Sequence, residues 1–345
     1  MRRPDPGRGR AHQMARAHVE HALTDSGPDA PIDPEATSVE VSQQVVGRSP
    51  WELFWRRFRK DKFALGGVLI VILITVLALM APVIAGFTHG PNDVHLDRLD
   101  SFGIPTGPQS GYPFGVDTAG RDLMVRVFYG ARTSLVIAIF ATGMASFIGV
   151  TLGMLAGFYR GKTDTLISRT IDVVLSLPVL LLALGLVSAC GLDAKGCLGG
   201  LIKPGLLLVS YVIALFTWPY IARIVRGQVL SLREKEFIEA ARSLGSTNRR
   251  IMFREVLPNV AAPIIVYTTL IIPNNILFEA ALSFLGIGVP QETPSWGREL
   301  SDAGTIFTVA WWMMLFPGLF LFFTVLAFNL VGDGLRDALD PRTGG

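Results

Sequence analysis

Two cysteines and five histidines in 345 residues leave little material for several kinds of chemistry. Two thiols are too few for a disulfide-stapled scaffold or a structural zinc site. All five histidines fall within the first 95 residues. The rest of the chain therefore lacks the commonest general base, which argues against a hydrolase or a histidine-based proton relay. Charge is also scarce: 17% of residues are Asp, Glu, Lys or Arg, against 50% hydrophobic, and mean hydropathy is +0.45. A soluble domain normally carries about 25% charged residues.

The charges are unevenly spaced. Six long, mainly apolar runs contain none: Phe63–Thr88, Thr133–Tyr159, Val173–Leu192, Pro204–Ala222, Val256–Phe278 and Ala303–Gly332, of 26, 27, 20, 19, 23 and 30 residues. A helix needs about 20 apolar residues to cross the hydrocarbon, and barrel strands are about half as long. Only helices and closed barrels satisfy every backbone group in lipid. The expected fold is an all-α integral membrane protein with six transmembrane helices. With the N-terminus inside, the inner segments hold 19 Lys and Arg, leaving aside the far N-terminal arm, and the outer loops 89–130, 191–203 and 286–302 hold 6. That bias places both termini in the cytoplasm. The net charge of +3 then reflects topology and gives no reason to invoke nucleic acid.

Residues 1–47 are polar and read as a disordered cytoplasmic arm, in which His12, His18 and His21 are solvated and hold no metal. Residues 48–62 read as an interfacial helix, with Ser49, Pro50 and Glu52 forming an N-terminal box. Trp51, Phe54, Trp55 and Phe58 would face the acyl boundary opposite basic residues. The six-span body occupies 63–345. Cys190 and Cys197, in the second outer loop, either pair or remain free thiols; the oxidising face favours pairing.

"AGFYRGKT", residues 156–163, fits the loose A-x-x-x-x-G-K-T phosphate-loop pattern. A phosphate loop needs a strand before the turn, whereas a membrane span precedes this one. Gly157 and Gly161 are expected to end that span, with Tyr159 and Arg160 at the interface. The match is a coincidence.

The inner loop Arg223–Pro258 is 36 residues long and strongly patterned. Phe237, Ala240, Ala241 and Leu244 recur at i, i+3, i+4, i+7, predicting a short helix with a small apolar face. Gly245 suits a left-handed stop, Ser246 or Thr247 a second cap, and "NRRIMFREVL" a second helix ended by Pro258. The stretch "EAARSLGSTNRRIMFREVLP" resembles the EAA motif of binding-protein-dependent ABC importer permeases. Glu239, Ala240, Ala241, Gly245, Leu257 and Pro258 match it, while Glu255 stands where the pattern has isoleucine. "FGVDTAGRDLMVRVFYGARTSL", "FEAALSFLGIG" with "PSWG", and "GDGLRDALDPR" are similar to the C-type permease of dipeptide, oligopeptide and nickel importers, over about residues 48–342.

The resemblance implies a non-catalytic subunit of the bacterial inner membrane. It implies a homologous B-type permease beside it, an extracytoplasmic peptide-binding protein, and two cytoplasmic ATPase subunits that hold the ATP and Mg. The 223–258 loop would be the coupling element seated on one ATPase. Glutathione-like compounds and nickel are the alternative cargoes. A secondary transporter is the competing class, but apart from Glu279 the spans carry almost no ionisable relay. For the translocation path or outer gate the candidates are Asn274, Asn275, Glu279 and Trp296. Glu279 either faces the path or bonds the backbone of the adjoining "LGIG" turn. Trp296 either covers the outer mouth or anchors the interface.

Because the phosphate-loop match is coincidental, Lys162→Ala is expected to leave nucleotide affinity of the assembled transporter unchanged in equilibrium binding. Nucleotide photocrosslinking to the isolated chain that this change abolishes would contradict the reading.

Overall fold

The computed structural model describes residues 50–191 and 205–339. The N-terminal arm, Ser49 and Cys197 lie outside the described residues, so neither the disordered arm, the proposed cap nor the expected disulfide is described. Cys190 itself is buried beside Leu208 and Val212.

The described chain is mainly helical, with turns and isolated bridges over 88–122: α1 (Pro50–Phe58), α2 (Lys62–Phe87), α3 (Leu123–Tyr159), α4 (Gly161–Ser176), α5 (Val179–Gly191), α6 (Leu206–Leu232), α7 (Glu236–Ser243), α8 (Asn248–Phe284), α9 (Trp296–Ala303) and α10 (Trp312–Leu339). Five of these (α2, α3, α6, α8 and α10) are long and apolar enough to cross a membrane. The third apolar run supplies the sixth span only as a broken one, α4 and α5 meeting at 86°. The cause is local. Pro178 disfavours helical backbone at the residue before it, and Leu177 is extended at φ −83°, ψ 143°. The run Val173–Leu192 is therefore not one straight helix.

Three further departures follow from packing. The second span begins well before its charge-free run, so α3 runs for 37 residues from its Asp122 cap. Pro258 does not end a helix. Ile251–Val256 is wound as a π-helix, in which Leu257 N–H donates to Met252 O five residues back, and the helix runs through the proline to Phe284. The wider winding absorbs a residue that can donate no hydrogen bond of its own. In α1, Phe54 and Phe58 face protein instead of the acyl boundary, packing on Ala64, Leu335 and Ala338. Trp55 is the exposed aromatic, with Arg59 4.9 Å above its ring.

The helix pair in most extensive contact is α3 with α6. Gly149, Gly153 and Gly157 recur every four residues and form one stripe on α3. A Cβ on each would stand 2.8 Å from Trp218 O, 2.6 Å from Ala222 O and 2.9 Å from Arg226 O. Only hydrogen fits there. Gly157 thus serves helix packing; the chain turns three residues later, at Arg160 (φ +55°) and Gly161 (φ +59°). That helix–corner–helix geometry has no strand before Lys162, unlike a phosphate loop.

Candidate coupling surface and translocation cavity

The matched motif builds a compact protrusion between α6 and α8. α7 closes with a paired C-cap: Ser246 N–H donates to Ala241 O at 3.1 Å and Gly245 N–H to Arg242 O at 2.9 Å. This arrangement needs a left-handed residue after the helix, and Gly245 supplies it at φ +78°. Thr247, the second of the two expected caps, accepts from Arg250 N–H at 3.4 Å. The chain then enters α8 without a break.

The apolar pattern on α7 has the opposite sense from a buried face. Ile238 is fully buried, and with Ile251, Met252 and Val256 it packs into the cluster of Trp218, Ile221, Val225 and Val229 on α6. Phe237 is 40% exposed, Leu244 86%, and Ala240 is exposed. Ile238 anchors the helix with half-buried Ala241 beside it, and Phe237, Ala240 and Leu244 point outward. Glu255, in the pattern's isoleucine position, is half-buried, and its neighbour Val256 makes the apolar contact. Glu239 is exposed and lines a polar cleft of about 650 Å³ with Arg160, Arg233, Arg242 and others.

α8 carries this protrusion straight to a cavity of about 610 Å³ formed with α5 and α6. Asn274 and Asn275 both line it, but they differ in role. Asn274 is exposed and donates from Nδ2 to Leu270 O at 3.1 Å. Asn275 is buried: its amide donates to Thr142 Oγ1 at 2.8 Å, and its carbonyl oxygen accepts from Thr217 Oγ1 at 3.0 Å. It pins α3, α6 and α8 together. Thr217, Tyr220 and Tyr267 line the same cavity and were missed from the sequence, where polar residues in otherwise apolar spans were the available signal.

The two outer candidates lie elsewhere. Glu279 is fully buried, and its carboxylate accepts from Ser134 Oγ at 2.8 Å and Ser283 Oγ at 2.7 Å. It does not line the cavity, and it bonds serine hydroxyls on α3 and α8 instead of the "LGIG" backbone. Trp296 is fully buried and donates from Nε1 to Val127 O at 3.1 Å, so it neither lies exposed over a mouth nor faces a membrane interface. Gly297 beside it lets α9 sit on α8, where a Cβ would be 2.4 Å from Ala280 O.

That outer layer is held by an ionic network the sequence concealed. Arg126, fully buried, donates from Nε to Glu299 Oε1 at 2.9 Å and from Nη1 to Pro91 O at 3.0 Å and Asn92 Oδ1 at 3.1 Å. Asp117 lies 3.3 Å from its Nε and accepts from Arg121 Nε at 2.6 Å. Burial pushes the Glu299 carboxyl above the usual carboxylate range, and the Arg126 guanidinium opposes that rise. The network ties the loop 89–122, the start of α3 and α9 into one outer cap.

Membrane-length helices line a largely apolar cavity that carries a few hydroxyls and carboxamides, and the protrusion is continuous with its wall, an arrangement that suits a membrane permease. Residues 149–345 match the family described as the binding-protein-dependent transport system inner membrane component, and residues 49–101 match the N-terminal TM domain of oligopeptide transport permease C. The chain belongs to this family of multi-pass bacterial inner-membrane proteins, with the C-type ABC importer permeases. It is 40% identical to the dipeptide transport system permease protein DppC of Alkalihalophilus pseudofirmus over 311 residues, covering 90% of this chain and 96% of that one. It is 39% identical to the glutathione transport system permease protein GsiD of Pectobacterium atrosepticum over 295 residues, covering 86% and 92%. It is 42% identical to GsiD of Escherichia coli O6:K15:H31 over 298 residues, again covering 86% and 92%. An inward-facing structure of the MetNI methionine ABC transporter superposes at TM-score 0.52 with 20% identity, over 63% of this chain and 96% of that one, a likeness of fold.

Removing Arg126 strands the buried Glu299 carboxyl, while Asp117 keeps Arg121, and the loss is about 3–5 kcal/mol. Arg126→Met is expected to lower the melting temperature of the detergent-solubilised protein sharply, and adding Glu299→Gln to restore part of it. Fluorescence-detected size exclusion after heating measures both.

Proposed function

We propose that the chain is the C-type permease subunit of an ATP-driven importer of short peptides. Both termini lie in the cytoplasm, and a homologous B-type permease completes the path. An extracytoplasmic peptide-binding protein delivers cargo. Two ATPase subunits hold ATP and Mg, so this chain carries no catalytic group of its own.

The observation that carries this reading is a continuous lever. The outward face of α7, Phe237, Ala240 and Leu244, is the surface offered to an ATPase, and Glu239 borders it. Its turn is locked by Gly245, and the same backbone proceeds through Leu257 and Pro258 to the cavity wall at Asn274. Closure of the ATPases would tilt α7, and with it the wall. Nucleotide and loaded binding protein then bias one two-state equilibrium from opposite faces of the membrane.

Peptide is the favoured cargo because the cavity presents hydroxyls and carboxamides to a substrate rich in amide groups, and a close relative is a dipeptide permease. Glutathione, itself a modified tripeptide, is the second reading, supported by the GsiD relatives. Nickel is less well served, since hydroxyl and carboxamide walls lack the imidazole or thiolate ligands that bind it well.

Gly245→Val forces a β-branched residue into positive φ, costing about 1–2 kcal/mol locally. That is too little to unfold the spans but enough to misdirect α7. Gly245→Val and Glu239→Lys are expected to preserve insertion and permease pairing while weakening ATPase co-purification and uptake in proteoliposomes. Normal transport with fully retained ATPase in both would overturn the assignment of α7 as the coupling element.

A further inference from the structure

The cavity does not end at the middle of α8. A second cavity of about 360 Å³ adjoins it on the side of Gln228 and the last turn of α10. Tyr267 and Leu270 line both. On α8, Pro263, Tyr267, Leu270 and Asn274 fall at i, i+4, i+7 and i+11, one stripe of the helix. The two spaces form one lane along that stripe. α10 closes against α8 where they meet: a Cβ on Gly332 would stand 2.5 Å from Leu270 Cδ2. One turn beyond Gly332, Arg336 is exposed and lines the inner cavity.

The chemistry of the lane is one-sided. Its polar lining consists of the hydroxyls of Thr217, Tyr220 and Tyr267 and the carboxamides of Gln228, Asn274 and Asn275, and the remainder is apolar. Among the described residues that line the two cavities, Arg336 is the single side chain charged at neutral pH. Asp333 and Asp337 flank it on α10, but neither lines the lane. A unit charge beside low-dielectric walls sets the sign of the potential along a narrow cleft.

We propose that Arg336 is a specificity-determining residue at the inner mouth: it gives the lane a positive potential that favours cargo bearing a free carboxylate and disfavours cations. Asn274, whose Nδ2 is committed to Leu270 O, presents its carbonyl oxygen as an acceptor for a cargo N–H. The class selected is an amide-containing molecule with a carboxylate terminus. A bare divalent cation meets a repelling charge and no anionic ligand. This rests on the permease reading and adds the charge rule to it.

Reporter cysteines test the rule without depending on what the binding protein accepts. Leu270→Cys and Asn274→Cys are introduced singly into the complete transporter in inside-out vesicles. Each is reacted with anionic sulfonatoethyl and cationic trimethylammonioethyl methanethiosulfonate, and rates are divided by those with a free thiol in solution. The transporter without a reporter gives the background from all other thiols. The expected result is a preference for the anionic reagent of about five- to tenfold at position 270, smaller at 274. Arg336→Gln abolishes the preference, while Arg336→Lys keeps most of it. Equal rates for the two reagents, a preference that survives Arg336→Gln, or no reaction at either reporter would overturn the proposal. Loss of ATP-dependent peptide uptake by the unaltered transporter would instead count against the permease reading, and it is measured separately.

Discussion

Everything in this fold depends on how closely α3 and α6 approach. Water drives apolar helices together in a soluble protein, but lipid tails are as apolar as the side chains they would replace. Association inside the bilayer rests on contact itself. The stripe of Gly149, Gly153 and Gly157 brings the two backbones to a separation at which each hydrogen faces a carbonyl or a β-branched side chain of α6. Many weak dispersion contacts then add up along the whole crossing.

The pair is a foundation because the functional parts hang from it. Trp218, Ile221, Val225 and Val229 of α6 form the floor on which Ile238, Ile251, Met252 and Val256 rest, so the protrusion is set by the same crossing. Asn275 reaches from α8 to Thr142 on α3 and Thr217 on α6, fixing the cavity wall to both members. Glu279 repeats the attachment one turn further along through Ser134. At the outer end Arg126, near the start of α3, gathers the loop and α9 around itself. Displacing α7 therefore loads a connected body and not a free loop.

Much of this was legible in the residues. Charge-free runs marked the spans because burying an unpaired charge in hydrocarbon is costly. The left-handed stop at Gly245 was legible because few other residues tolerate that backbone. What stayed hidden depended on partners remote in the chain. The periodicity around Phe237 showed that α7 has a face, but not that the face points away from the protein. For Glu279 and Trp296 the sequence left a path role and a structural role both open, because the partners that decide it, Ser134 and Ser283 for one and the Val127 carbonyl for the other, carry no local pattern. The partnership of Arg126 with Glu299 spans 173 positions and no local pattern announces it. Pro258 looked terminal because a π-turn able to absorb it leaves no simple sequence signal.

A paired substitution along α3 tests whether that crossing is the foundation. Gly153 faces Ala222 O at a distance that admits no Cβ, whereas Gly143, on the same helix, has open space around it. Thermal stability of the assembled transporter and its ATP-driven uptake would be measured for Gly153→Leu and Gly143→Leu. The account predicts that Gly153→Leu lowers both together while Gly143→Leu leaves both near the parent values. Equal tolerance of the two leucines would contradict it.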